Sequence, residues 1–404
     1  MKRFNKNIIT FIMIFIIVVM GLWASPVPQF LEYGLEETKA YMNKNGFFEG
    51  FGVFTWKIET AFSEGLTYHK DFLDLNSAVQ NNIGTVKMDK GDTTVIKSKS
   101  GYLSYQRSEI PDKTLKKRAE KTAELYKAAK ENGAEFMYIM APVKGYYMEY
   151  PENVEDYNRQ NCDAFIKALE DAKVPYFSLI DEMKKDGITE EEMFFITDHH
   201  WKPEYALWAA NSVAEELKNR FGFTYDKEKL DIDNYSVEIH FNAFLGSQGK
   251  KTGKYFTELG LDDINIITPK FETLLTDIQV GKDYIRTGPF SEVLIHKYHI
   301  NDADLYNKNP YAAYLGGDYR EQIIENHMNL EGKNVLLLKD SFSCAFAPFF
   351  TMTTHNTYLL DMRDFAEFKG DRINVEEYIE RVKPDYVLVM YTGVSGEDRI
   401  YDFE

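Results

Sequence analysis

Acyl transfer through a side chain needs a nucleophile, a base to take its proton and an acid to hold that base. Two short stretches of this chain can supply all three: Asp198-His199-His200-Trp201, and Asp340-Ser341-Phe342-Ser343 at the end of the apolar run Val335 to Leu338. Serine is a poor nucleophile at neutral pH, so Ser341 is useful only with an imidazole in hydrogen-bond reach and a carboxylate behind that imidazole. If the first stretch is extended, alternate side chains share a face, which sets Asp198 beside His200 and turns His199 to the other side. That spacing suits a carboxylate supporting an imidazole. Singly, each motif has a plainer reading: a serine after a strand is often a helix N-cap, and paired histidines are often surface or core. Asp198, His199, His200 and the His296/His299 pair are also plausible metal ligands. Adjacent histidines on opposite faces make poor joint ligands, so no metal is expected.

The elements around these residues decide between the readings. Val335 to Leu338 reads as a buried parallel strand, and Phe342, Ala345, Phe346 and Phe349 repeat at helical spacing. Ser341 then falls in a strand-to-helix turn at the carboxyl end of a sheet, beside helix N-terminal amides able to stabilise an oxyanion. Upstream, Asp112 is the expected N-cap of a helix ending before Gly133. Strand Phe136 to Ala141, helix Asp156 to Ala172, strand Val174 to Ile180 and a helix from Pro203 to Phe221 follow. After Ser341 come strand Thr357 to Leu360, helix Val375 to Val382 and strand Tyr386 to Tyr391. Such alternation predicts an α/β fold, a parallel sheet with helices on both faces.

Ligands of open parallel sheets bind beyond the carboxyl ends of the strands. Lys144, Ser341, Arg363 and Tyr391 all follow or end strands there, and Lys144 and Arg363 are candidates to hold an anionic or hydroxyl-rich ligand. Residues 224–329, richer in alternation (Val237, Ile239, Phe241) and in glycine, read as a β-rich insertion beside the site. The expected organisation is residues 1–27 as a membrane helix, 28–111 as an N-terminal region packing on the catalytic domain, and 112–404 as that domain.

The membrane helix rests on Lys2, Arg3 and Lys6 preceding an apolar run from Ile8 to Ala24. Trp23 and Leu22 before Ala24 leave no small-x-small cleavage site, which favours an uncleaved signal anchor over a cleaved signal peptide. The positive-inside rule then places the rest of the chain outside the cytoplasm. A net charge of −17 repels phosphate backbones, so nucleic acid is not an expected partner. Cys162 and Cys344 fall in segments that read as helix interiors, where buried free thiols are expected in preference to a bridge.

Taken together, these residues resemble the bacterial DHHW proteins and, close in pattern, the SGNH hydrolase-like O-acetyltransferases of alginate and related exopolysaccharides. The resemblance rests on Thr197-Asp198-His199-His200-Trp201, Leu338-Lys339-Asp340-Ser341-Phe342, Leu360-Asp361-Met362-Arg363 and Gly246-Ser247, and runs from about Phe51 onward. It implies Ser341 as nucleophile, His200 as base and Asp198 as orienting acid, on an SGNH-like (flavodoxin-like) sheet. Trp201, Ser247 and Gly317 join Lys144, Arg363 and Tyr391 as binding candidates, Gly317 for the oxyanion. Lys339 stands where the usual Gly-Asp-Ser block has glycine, and the serine follows its acid and base in the chain, the order of a circular permutation.

The implied function is an extracytoplasmic, membrane-anchored O-acetyltransferase acting on a cell-surface or secreted polysaccharide through an acyl-serine. It needs no cofactor, because a membrane-bound O-acyltransferase partner would deliver the acetyl group. Two other readings stay open at this level: a carbohydrate esterase using the same triad, and a polysaccharide-binding protein whose triad is vestigial.

Overall fold

The computed structural model describes residues 68–91, 93–363, 373–392 and 398–403. The chain divides into two compact units, Met1–Gln80 and Asn81–Glu404. The expected anchor, Ile8 to Ala24, lies outside the described residues; among those described, no helix is long and apolar enough to cross a membrane. Helix α1 covers His69–Asn82.

Strands β1 (Lys87–Lys90), β2 (Thr93–Lys97) and β3 (Leu103–Tyr105) then form a small antiparallel sheet. Next come α2 (Asp112–Glu131), β4 (Glu135–Met140), α3 (Asn158–Asp171), β5 (Tyr176–Ser178), α4 (Leu179–Lys185), the single turn α5 (Glu190–Met193) and α6 (Pro203–Phe221). The insertion contributes β6 (Tyr235–Phe244), α7 (Ser247–Thr252), β7 (Asp262–Pro269), β8 (Leu275–Gln279), β9 (Tyr284–Gly288), the short α8 (Phe290–Val293) and α9 (Tyr298–Asn301), and β10 (Glu321–Asn326). The last stretch holds β11 (Lys333–Lys339), α10 (Ser343–Phe350), β12 (Thr354–Asp361), α11 (Val375–Val382) and β13 (Tyr386–Tyr391).

Local chemistry accounts for most boundaries. Pro203 opens α6 at a position where its missing N–H costs nothing, and Gly222, at φ 72°, closes it in the left-handed region. Pro111, not Asp112, is the N-cap of α2; Asp112 sits one residue further in, where its carboxylate still faces the positive end of the helix. Strand β5 is shorter than expected because the Ser178 hydroxyl accepts the Asp181 amide (3.2 Å) and starts α4 there.

The main sheet has eight strands in the order β5-β4-β13-β11-β12-β10-β8-β9. The first five are parallel, as the alternation predicted. The remaining three pair antiparallel, so the sheet is mixed, and the parallel expectation is corrected at this edge. The insertion therefore does not stand beside the sheet as a lobe. It extends the sheet by three strands, with only β6 and β7 forming a separate ribbon.

Helices α6 and α10 cover one face, packed on Val335, Leu337 and Leu388; α2, α3 and α11 cover the other, packed on Leu336, Leu338 and Val389. Cys162 and Cys344 are buried and free.

Candidate active site

Strand β11 ends at Lys339, and the chain turns through Asp340 and Ser341 into α10. Asp340 staples this turn: its Oδ1 accepts the Phe342 amide (3.0 Å) and its Oδ2 the Thr392 amide beyond β13 (3.1 Å). The Ser343 and Cys344 amides bond the carbonyls of Asp340 and Ser341. Three helix-start amides expected at an oxyanion are thus already engaged. The Ser341 amide has no hydrogen-bond acceptor among the described residues.

The second motif is a loop, not an extended strand. Phe194 and Trp201 bridge across its neck, and the Phe195 amide bonds the His200 carbonyl. The loop is held from outside by Asp262, whose carboxylate accepts the amides of Ile196 and Thr197 and the Thr197 hydroxyl. Lys144 holds it from beneath, its ammonium donating to the carbonyls of Phe195 (2.6 Å), Ile196 (2.9 Å) and Asp198 (2.9 Å). Burial pushes Lys144 down to about 7, against the pull of Asp262 and Asp198.

These supports bring the two motifs together. His200 Nε2 lies 2.8 Å from Ser341 Oγ, and His200 Nδ1 lies 2.6 Å from Asp198 Oδ1. Asp198 Oδ1 also accepts the His200 amide, and its Oδ2 accepts the Ser247 amide at 2.7 Å. Burial disfavours the Asp198 charge, but the His200 and His199 rings and these hydrogen bonds hold its carboxyl well below the usual carboxylate range. Asp198 is 3 % and His200 8 % exposed, while Ser341 is half-buried. The relay is dry behind and open in front.

His199 does not turn away, because the bent loop lays its ring on that of His200, centroids 3.8 Å apart. Its Nδ1 meets Ser247 Oγ at 2.8 Å. Asp198, His199 and His200 are the described group whose donor atoms come within 4.8 Å of one another; His296 and His299 do not join them. Within that group, both Nδ1 atoms face hydrogen-bond partners.

The other candidates mostly support the site. Lys144 spends its three N–H bonds on carbonyls, so its charge holds the loop and not a ligand. Arg363 is paired with Asp361 (2.5 Å) and Asp318 (3.0 Å). Lys339, replacing the glycine, is wholly buried and bonds Asp318 at 2.6 Å, with Asp361 at 3.6 Å. These two carboxylates overcome the cost of burial and hold the Lys339 proton more tightly than in water. Gly317, at φ 108°, turns its carbonyl toward Cys344 Sγ (3.5 Å). Tyr391 points into the opposite core, edge-on to Tyr138 and Tyr401, and does not face the cleft. Trp201 is buried, its indole N–H donating to the Phe342 carbonyl (3.1 Å).

Tyr311 carries a role that was not read from the sequence. Its ring stacks on His200 (4.0 Å, 11°), and its hydroxyl donates to the Phe342 carbonyl at 2.9 Å. One tyrosine therefore packs behind His200 and ties down the residue after Ser341. Asp262 was missed as well: one acid among 64 carries no signal.

Residues 98–237, which include Asp198 and His200, match the family model of the SGNH hydrolase-like domain of the acetyltransferase AlgX. The fold is SGNH-like. Its fold is similar to that of PatB1 from Bacillus cereus, solved with a sulfonyl adduct, at 22% identity and a TM-score of 0.62 over 78% of this chain and 99% of that one. A DHHW family protein from Eubacterium siraeum is similar at 17% identity and a TM-score of 0.56, over 78% of this chain and 96% of that one. No curated protein matches the sequence. The SGNH-like fold places Asp198 and His200 on the loop before α6 and Ser341 after β11, which brings the three side chains into one hydrogen-bonded line.

Proposed function

We propose that this protein is an O-acetyltransferase that moves acetyl groups onto polysaccharide hydroxyls through an acyl-serine. The observation that carries this reading is the continuous hydrogen-bonded line from Ser341 Oγ through His200 to Asp198. His200 Nε2 takes the Ser341 proton as Oγ attacks the acetyl carbonyl, and returns that proton to the leaving group as the ester to the donor breaks. The acetyl group then rests on Oγ. His200 next takes the proton of a sugar hydroxyl, the sugar oxygen attacks the acyl-serine, and the proton returns to Ser341. Asp198 fixes the ring with Nε2 toward the serine and offsets the imidazolium charge. The Ser341 amide is the donor best placed for the oxyanion.

The setting proposed for this chemistry is the outer face of the membrane, with Ile8 to Ala24 as an uncleaved anchor. The acetyl donor there is a membrane-bound acyltransferase partner, and the chain itself needs no cofactor. The name acetyltransferase on the matched family model supports this reading.

The test uses the full chain in detergent with an activated acetyl ester. Intact mass is expected to show one acetyl group on the wild type and none on Ser341→Ala, and an added oligosaccharide is expected to drain it into acetylated glycan. His200→Ala is expected to slow acylation by about a thousandfold or more. An unacylated Ser341 would overturn the mechanism; acetate release indifferent to acceptor would make the protein an esterase.

A further inference from the structure

Beyond His199 lies a group of side chains that neither the relay nor its supports use. The Tyr105 ring, at the end of β3, sits 5.8 Å from the His199 ring. The Arg107 guanidinium lies 5.8 Å from the centre of the Tyr105 ring and the Lys251 ammonium 5.9 Å from it. All three residues are half-buried, and 33% of the His199 side chain stays exposed. No described side chain accepts a hydrogen bond from the Arg107 guanidinium. Asp156, whose charge attracts the guanidinium, accepts the Arg107 main-chain amide (2.8 Å) and the Asn158 amide groups. Lys251 gives one bond to the Thr93 hydroxyl (2.9 Å), which leaves N–H groups to spare.

A chain of net charge −17 has placed two under-used cations around one aromatic ring, next to the histidine stacked on the proposed base. Like charge elsewhere on the surface repels an anionic polymer, while a local pair of cations attracts it. A guanidinium with no side-chain hydrogen-bond acceptor suits planar oxyanions such as carboxylate and phosphate. Held by Ser247 through Nδ1, His199 can meet a sugar hydroxyl from its exposed side.

The geometry points to Arg107, Lys251 and Tyr105, with His199 at their inner edge, as the acceptor subsite for a glycan bearing carboxylate or phosphate close to the hydroxyl that is acetylated. This rests on the transferase reading for its use, but the subsite is a binding site and can be tested without turnover. Ser341→Ala full-length protein in detergent, which cannot be acylated, is titrated calorimetrically with three matched probes: an oligouronate, a glycosylated polyol-phosphate oligomer and a neutral oligosaccharide.

One or both anionic probes are expected to bind, and which of them does distinguishes carboxylate from phosphate. Binding is expected to weaken steeply with added salt, to fall about tenfold or more in Arg107→Gln and Lys251→Gln, and to recover in part in Arg107→Lys. The salt dependence is read on the parent protein, so it survives if a variant fails to fold. Equal binding of the neutral probe, or anionic binding indifferent to both salt and the two substitutions, overturns the proposal. Binding as expected with no acetyl transfer would leave the subsite standing and defeat the transferase reading.

Discussion

Gly246 occupies a point where any side chain would collide with the acid of the relay: an added Cβ would lie 2.2 Å from Asp198 Cβ and 2.5 Å from its Cα. The obstacle includes backbone held by Lys144 and Asp262, so it cannot swing aside. Gly246→Ala is expected to cost about 1–3 kcal/mol of stability and to displace Asp198 from His200. Urea midpoints and acylation rate at a permissive temperature would check both; an unchanged rate would show that the loop has slack. His199 offers a test by pH. Burial first, then the His200 charge, pushes its ring down to about 3 from an ordinary 6.5. Below about 6.5 the unfolded chain takes a proton that the folded chain refuses until about 3, so stability is lost as pH falls through that window. His199→Gln, still able to bond Ser247, is expected to flatten this acid limb of urea midpoint against pH by less than one proton, since part of the ring meets solvent. At this scale the meeting of Ser341, His200 and Asp198 was legible because few residue types can form such a line. The wrong orientation of His199 came from treating a bent loop as extended.

Among the elements, the turn Pro310–Ala313 shows why an insertion can be indispensable to a site it was expected only to adjoin. It delivers Tyr311 under His200, and the Tyr311 hydroxyl and the Trp201 indole share the Phe342 carbonyl. Tyr311→Phe keeps the ring stack and loses one of those bonds, with an expected cost of about 1–2 kcal/mol in stability and a modest loss of rate. Tyr311→Leu also removes the flat support of the imidazole and is expected to lower acylation by about tenfold or more without weakening acceptor binding. Equal rates in the two variants would mean that the stack does not position the base. Nothing in the sequence marks Tyr311 among 27 tyrosines, because its role depends on a tertiary approach. Helices α2, α3 and α6 were legible because Pro203 and the apolar spacing are local signals, whereas α1 was not read and the start of α4 was read as strand. Strands β8 and β10 were missed because their buried faces carry polar residues, Asp277, Gln279 and Gln322, which mask the alternation that betrays a strand.

For the molecule as a whole, one sheet separates two apolar layers, and adjacent residues of β11 report on them separately. Leu337 packs in the layer of α6, α10 and Trp201; Leu338 packs in the layer of α2, α3 and α11. If the layers are halves of one cooperative unit, damage to either must lower the same transition. Leu337→Ala and Leu338→Ala are each expected to cost about 2–5 kcal/mol. In urea, far-ultraviolet circular dichroism and indole fluorescence, to which Trp201 contributes from its own layer, should shift together in both variants. A Leu338→Ala transition that moves in dichroism while the fluorescence midpoint stays fixed would show that the layers unfold separately. The point bears on function, since Ser341 is carried by the strand between the layers and His200 by a loop against one of them. Their 2.8 Å contact survives only while both layers stay packed.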